Sequence, residues 1–134
     1  LSSPYAEQIA SAESVHITDT HMNEMIEEYK MRRDIVYEAL EKIPHVICKK
    51  PKGAFYVIAK LPIKDADKFA AWLLTDFRHD NKTVMVAPAS GFYATPGHGG
   101  DEIRLAYVIN RAHLKEAMSL LAEAIKQYHK IESK

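Results

Sequence analysis

Apolar positions along the chain change their period several times, and each change marks an element. Met22, Met25, Ile26, Tyr29, Val36, Leu40 and Ile43 fall near one stripe at helical spacing, which predicts a long helix from about Asp19 to Lys42. Asp19 or Thr20 is placed to cap it, and Pro44 ends it. Glu28 with Arg32 and Glu38 with Lys42 make favourable i,i+4 pairs on its polar side. Upstream, residues 4–13 suit a short helix, with Ser3 as N-cap and Pro4 at the first helical position. The polar, β-branched run from Ser14 to Thr20 breaks it.

The period then shortens. His45 to Lys49 and Ala54 to Lys60 read as a hairpin, with Lys50-Pro51-Lys52-Gly53 as its turn. Lys64 to Arg78 is a second main helix, capped by Asp65, with Phe69, Trp72, Leu73 and Phe77 as its bulky face. Thr83 to Ala87 is a third strand and Glu102 to Val108 a fourth. Asn110 caps a last helix, about Arg111 to His129, whose stripe is Leu114, Ala117, Met118, Leu121, Ile125 and Tyr128. The polar tail after Lys130 is expected to fray. This α-β-β-α-β-β-α order predicts an α+β fold: a small, mostly antiparallel sheet of about four strands, covered by helices on one face.

The fourth strand carries the most informative side chain. Ile103, Leu105 and Tyr107 point to one face, and Arg104, Ala106 and Val108 to the other. Arg104 follows a long loop, Pro88 to Asp101, that contains Gly97, Gly99 and Gly100, and loops of that length are usually functional or disordered. A guanidinium in a strand stays charged at any working pH and matches a carboxylate bidentately. Taken alone, this residue equally suits an ion pair with an acidic neighbour or a side chain pointing into water.

Composition narrows the rest. The 134 residues suit one domain, and 47% apolar with 27% charged residues is ordinary for a globular protein. A net charge of zero gives no drive toward nucleic acid or anionic lipid, and no apolar run is long enough to span a bilayer. Cys48 is the only cysteine, which excludes an intrachain disulfide and fits a reducing, cytoplasmic setting. The start at Leu1 shows no signal peptide, and a start other than Met leaves room for a longer parent protein.

Other candidate chemistries fail on spacing. No two of the seven histidines have the His-x-x-x-His spacing of a zinc helix, so no metal site is expected. Gly97-His98-Gly99-Gly100 resembles part of an oxyanion loop, but no Gly-x-Ser-x-Gly elbow accompanies it. No phosphate-binding glycine motif is present. Lys49, Lys50, Lys52, Lys60 and Lys64 lie in or beside turns, in settings that do not depress an amine pKa. Cys48 lacks an activating base and reads as a small buried hydrophobe.

Pro51-Lys52-Gly53-Ala54-Phe55-Tyr56, Val84-Met85-Val86-Ala87-Pro88, Gly91-Phe92-Tyr93 and Ile103-Arg104-Leu105-Ala106-Tyr107, in this order and separation, change the picture. Together they resemble the C-terminal small domain of class I/II, fold-type I pyridoxal-phosphate-dependent aminotransferases, most closely aspartate aminotransferase-like members. The resemblance covers about residues 4–130. It implies residues 1–18 as a linker and helix left from the large domain, and residues 19–134 as the small domain that closes over the cofactor. It implies that Arg104 binds the α-carboxylate of the substrate and that Phe55 lines the pocket, with Phe92 and Tyr93 nearby. The parent would transfer an amino group between an L-amino acid, aspartate among them, and a 2-oxo acid, as a homodimer.

The family's Ser-x-x-Lys segment with its following arginine does not occur in this chain, nor does the phosphate cup or the aspartate that meets the pyridine nitrogen. No catalytic or cofactor-binding residue is therefore expected here, and no bound pyridoxal phosphate. The chain alone should be inactive. Freed from a large domain, the apolar side of residues 4–13 should lie open and promote self-association. Two rivals remain: a stand-alone module that binds amino acids or other carboxylates without catalysis, and an interaction domain in which Arg104 is only a salt-bridge partner.

Overall fold

The computed structural model describes residues 3–132, and four helices and four strands lie among them. The order is α1 (Tyr5–Glu13), a 3-10 turn (Ser14–His16), α2 (Asp19–Glu41), β1 (Ile47–Cys48), β2 (Tyr56–Lys60), α3 (Ala66–Thr75), β3 (Ala87–Pro88), a second 3-10 turn (Ser90–Phe92), β4 (Glu102–Ala106) and α4 (Arg111–Glu132). The strands form one antiparallel sheet in the order β1-β2-β4-β3. This is the expected α+β arrangement.

The helices pack on one face of the sheet. Val57 and Ala59 of β2 and Ile103 and Leu105 of β4 meet Val36 and Leu40 of α2, Phe69 and Leu73 of α3, and Leu114, Leu121 and Ile125 of α4. Aromatic packing closes one end of this core: the Phe69 ring lies 5.0 Å from Tyr128, and Trp72 lies 5.1 Å from Tyr128. The opposite face presents Tyr56, Ile58 and Lys60 of β2 beside Ala106, Arg104 and Glu102 of β4. No helix packs on that side among the described residues.

Several boundaries differ from expectation for local reasons. Thr18, not Asp19 or Thr20, caps α2, and its hydroxyl accepts from the His21 amide at 3.5 Å. Pro4 rather than Ser3 takes the cap position of α1, with no side-chain cap bond. β1 starts at Ile47 and β2 at Tyr56, because His45 and Ala54 both have left-handed backbone (φ 64° and 60°) that no strand continues. Helix α3 stops at Thr75, where the Asp76 and Phe77 amides both bond the Trp72 carbonyl and the Arg78 guanidinium donates to the Leu74 carbonyl at 3.0 Å. β3 pairs only at Ala87 and Pro88, so the expected strand from Thr83 is mostly unpaired. Helix α4 runs on to Glu132 instead of fraying after Lys130, and Glu132 accepts the Lys64 amide at 3.2 Å. Residues 133–134 lie outside the described region.

The apolar stripe of α2 divides in two. Val36, Leu40 and Ile43 are buried, while Met22, Met25 and Ile26 are exposed. Helix α1 buries none of its residues, and Tyr5 is 78% exposed. The sheet and α4 cover only the C-terminal half of α2.

Asn110 caps α4 as expected, its side-chain carbonyl accepting from the His113 amide at 2.9 Å. Asn110→Ala should destabilise the chain by ~1 kcal/mol. Urea denaturation with an unchanged slope would measure it, and an unchanged midpoint would contradict the capping role.

Candidate functional site

Arg104 stands on the open sheet face because β4 alternates strictly: Ile103, Leu105 and Tyr107 are buried on the helix side. Its direct cross-strand neighbours are Ile58 of β2 and Ala87 of β3, neither of which offers an acceptor side chain. Aromatic rings flank the guanidinium instead. The Phe92 ring centre lies 4.1 Å from its central carbon, and that of Tyr56 lies 5.4 Å away. Such cation–π contacts contribute about 0.5–2 kcal/mol each and orient the plane of the guanidinium.

The other four arginines are all engaged. Arg32 donates to Glu28 and to the Val108 carbonyl, Arg33 to Asp34, Arg78 to main-chain carbonyls, and Arg111 pairs with Glu28. Arg104 alone has neither ion pair nor hydrogen bond among the described residues. The carboxylates beside it are committed elsewhere. Asp101 pairs with Lys60 at 2.8 Å, and Glu102 accepts from the Tyr93 hydroxyl. The salt-bridge role that the sequence left open for Arg104 has no counterpart within the described chain.

The glycine-containing loop before β4 is tied down through its carbonyls. The Gly100 carbonyl accepts from Ala66 at 2.7 Å, and the Asp101 carbonyl from Leu61 at 2.9 Å. Gly99 has φ +73°, and a Cβ there would stand 2.6 Å from two carbons of the Tyr93 ring. That close approach requires glycine. Donating its hydroxyl proton to the Glu102 carboxylate raises the Tyr93 phenol above its ordinary pKa.

Phe55 sits in the turn before β2, with its ring edge-on to Tyr56 at 5.8 Å. It is 51% exposed. By strand parity it belongs with Val57 on the helix side, where a cleft of about 560 Å3 is lined by Met25, Tyr29, Lys52, Ala54, Phe55 and Tyr107 among others. The structure thus brings Phe92 and Tyr56 to Arg104. Tyr56 has the same parity as Ile58 and Arg104, a signal that becomes usable only once the β2–β4 register is known.

The Asp101 carboxylate raises the Lys60 ammonium above its usual pKa, which keeps it charged and non-nucleophilic. Burial raises the Cys48 thiol. Among the described residues no three His, Cys, Asp or Glu side chains gather as a metal site.

The chain matches the model of the aminotransferase class I and II family over residues 1–121, and it belongs to that family. It is 33% identical over 123 residues to the aspartate aminotransferase of Pyrococcus horikoshii, covering 88% of this chain and 29% of that protein. It is 32% identical over 119 residues to the LL-diaminopimelate aminotransferase of Nitratidesulfovibrio vulgaris, covering 87% of this chain and 28% of the relative. The fold is similar to that of alanine aminotransferase from Pyrococcus furiosus, with a TM-score of 0.73 at 27% identity, over 90% of this chain and 29% of that one. The chain therefore spans less than a third of the length of the relatives it matches.

Pyridoxal phosphate, the cofactor implied by the resemblance, needs a lysine able to lose its proton and a set of donors for its phosphate. The open face around Arg104 supplies neither. Lys60, the lysine on this face, is ion-paired with Asp101. The residues of this face do not fit the cofactor.

Proposed function

We propose that this chain acts as the small domain of a pyridoxal-phosphate-dependent aminotransferase. Residues 19–134 would form the domain and residues 1–18 its connection to a large domain. The whole enzyme would be a cytoplasmic homodimer that moves an amino group between an L-amino acid and a 2-oxo acid, with aspartate the first substrate to assay. Pyridoxal phosphate would be held by the large domain, since the residues of the Arg104 face do not fit it. No helix among the described residues is long and apolar enough to cross a membrane.

One observation carries this reading: Arg104 is the arginine left without an anionic partner, held between two rings on an open face. A planar cation flanked in this way presents its N–H edge to a ligand. A carboxylate fits that edge with two parallel hydrogen bonds and a fixed orientation. Fixing the α-carboxylate fixes the direction of the bonds at the substrate's Cα, which is what a reaction at that carbon requires. Phe55, in the turn before β2, would line the substrate space less directly.

Two titrations of the 134-residue chain test the division of labour. With pyridoxal phosphate it should show only weak, unsaturable absorbance changes from surface lysines. With aspartate or glutamate, calorimetry should find no tight site, because one half-buried arginine offers about 1.5–3 kcal/mol. Specific micromolar binding without cofactor would overturn the proposal and favour a self-sufficient carboxylate-binding module.

A further inference from the structure

Glu102 and Arg104 lie two residues apart on the same face of β4, roughly 7 Å apart along the strand. Long side chains of opposite charge at that spacing are within reach of one another. They do not pair here. The Tyr93 hydroxyl donates to the Glu102 carboxylate. Lys60, directly across from Glu102, is taken by Asp101 at 2.8 Å and leaves Glu102 to the tyrosine.

Tyr93 is itself held in place. Its ring lies against Gly99, where no side chain would fit. The His98 ring packs 5.9 Å away. Phe92, the neighbouring residue, ends the 3-10 turn Ser90–Phe92, whose start is tethered by the Ser90 hydroxyl donating to Asp67 of α3 at 3.1 Å. The turn that places Phe92 over Arg104 is thus anchored to α3 at one end and, through Tyr93, to β4 at the other.

We propose that Tyr93 is a positioning residue for Arg104: by binding Glu102 it keeps the one nearby carboxylate on the same strand from closing on the guanidinium, and so keeps the receptor open. The Tyr93–Glu102 bond is a guard against an internal competitor for the substrate's carboxylate. This inference rests on the reading of Arg104 as a carboxylate receptor. Glu102 has a second role in it, as the tether that seats the loop and its Phe92.

The test uses the side-chain Nε–Hε resonance of Arg104 in the 15N-labelled chain without ligand. Tyr93→Phe keeps the ring against Gly99 and removes only the hydroxyl. It should move the Arg104 resonance downfield as Glu102 becomes its acceptor. Adding Glu102→Gln in the same chain should reverse most of that shift. An Arg104 resonance that Tyr93→Phe leaves in place, or a shift that Glu102→Gln fails to reverse, overturns the proposal. In the full-length enzyme Tyr93→Phe should raise KM for the amino acid by roughly two- to five-fold, the range an exposed ion pair takes from a competing ligand. kcat should change less than KM, and adding Glu102→Gln to Tyr93→Phe should bring KM most of the way back, the remainder reflecting the lost tether of the loop. If the resonances behave as expected while Arg104→Ala leaves kcat/KM unchanged, the guard exists and the receptor reading fails.

Discussion

Arg104→Ala in the full-length enzyme is expected to lower kcat/KM for the amino-acid substrate by about one to two orders of magnitude. The residue has no ion-pair or hydrogen-bond partner among the described residues, so its hydrogen-bonding capacity is free for a ligand. Charge-assisted hydrogen bonds of this kind contribute roughly 1.5–3 kcal/mol, and 1.4 kcal/mol is tenfold in rate. No ion pair in the described chain depends on the guanidinium, so the change in folding stability should be confined to its two ring contacts, about 0.5–2 kcal/mol each. Arg104→Lys keeps the charge but loses the planar fork, and it should recover only part of the loss. Steady-state kinetics with both variants, beside their denaturation curves, would check this.

Phe69→Ala should destabilise the chain by about 3–5 kcal/mol. Phe69 is fully buried at the junction of α3, α4 and the sheet. Its ring contacts Tyr128 at 5.0 Å and Trp72 at 6.2 Å, and truncation would leave a cavity lined by both. A domain of this size is stable by roughly 5–15 kcal/mol, so the variant should sit near the edge of folding at 37 °C. Urea denaturation monitored by Trp72 fluorescence would measure it. A loss under about 1 kcal/mol would mean that the core collapses around the gap or is not packed as described.

Local periodicity made much of this architecture readable. Helix α4 carries an unbroken stripe from Leu114 to Tyr128, and β4 alternates over five residues, so their buried faces followed directly from residue order. Where pairing depends on distant residues, that legibility failed. Thr83 to Val86 keep a strand-like alternation, with Val86 buried and Met85 77% exposed, yet they do not join the ladder. A two-residue turn sets this up. Asp80 and Asn81 both take left-handed backbone, His79 and Lys82 exchange main-chain hydrogen bonds, and the chain reverses there. Asp and Asn tolerate positive φ, so the pair was a usable turn signal before the fold was known.

The N-terminal half of α2 shows a different limit. Met22, Met25 and Ile26 have the spacing of a buried stripe, but no element among the described residues covers them. A periodic pattern identifies a face that can be buried and says nothing of what buries it. The site divides in the same way. Arg104 was visible as an oddity of residue type in a strand. Tyr56 as its second wall required the β2–β4 register, and Glu102 as its potential competitor required knowing that Tyr93 reaches it. Phe55 came from resemblance alone, and its ring meets Tyr56, the residue that flanks the guanidinium.

The most direct measurement compares two substrates in two enzymes: an amino acid and the amine that lacks its α-carboxylate, each assayed with the full-length enzyme and with Arg104→Ala. If Arg104 receives the carboxylate, the variant loses about ten- to a hundredfold in kcat/KM on the amino acid, while the amine, already without that contact, stays within about twofold. Equal losses on both substrates, or no loss on the amino acid, would contradict the assignment.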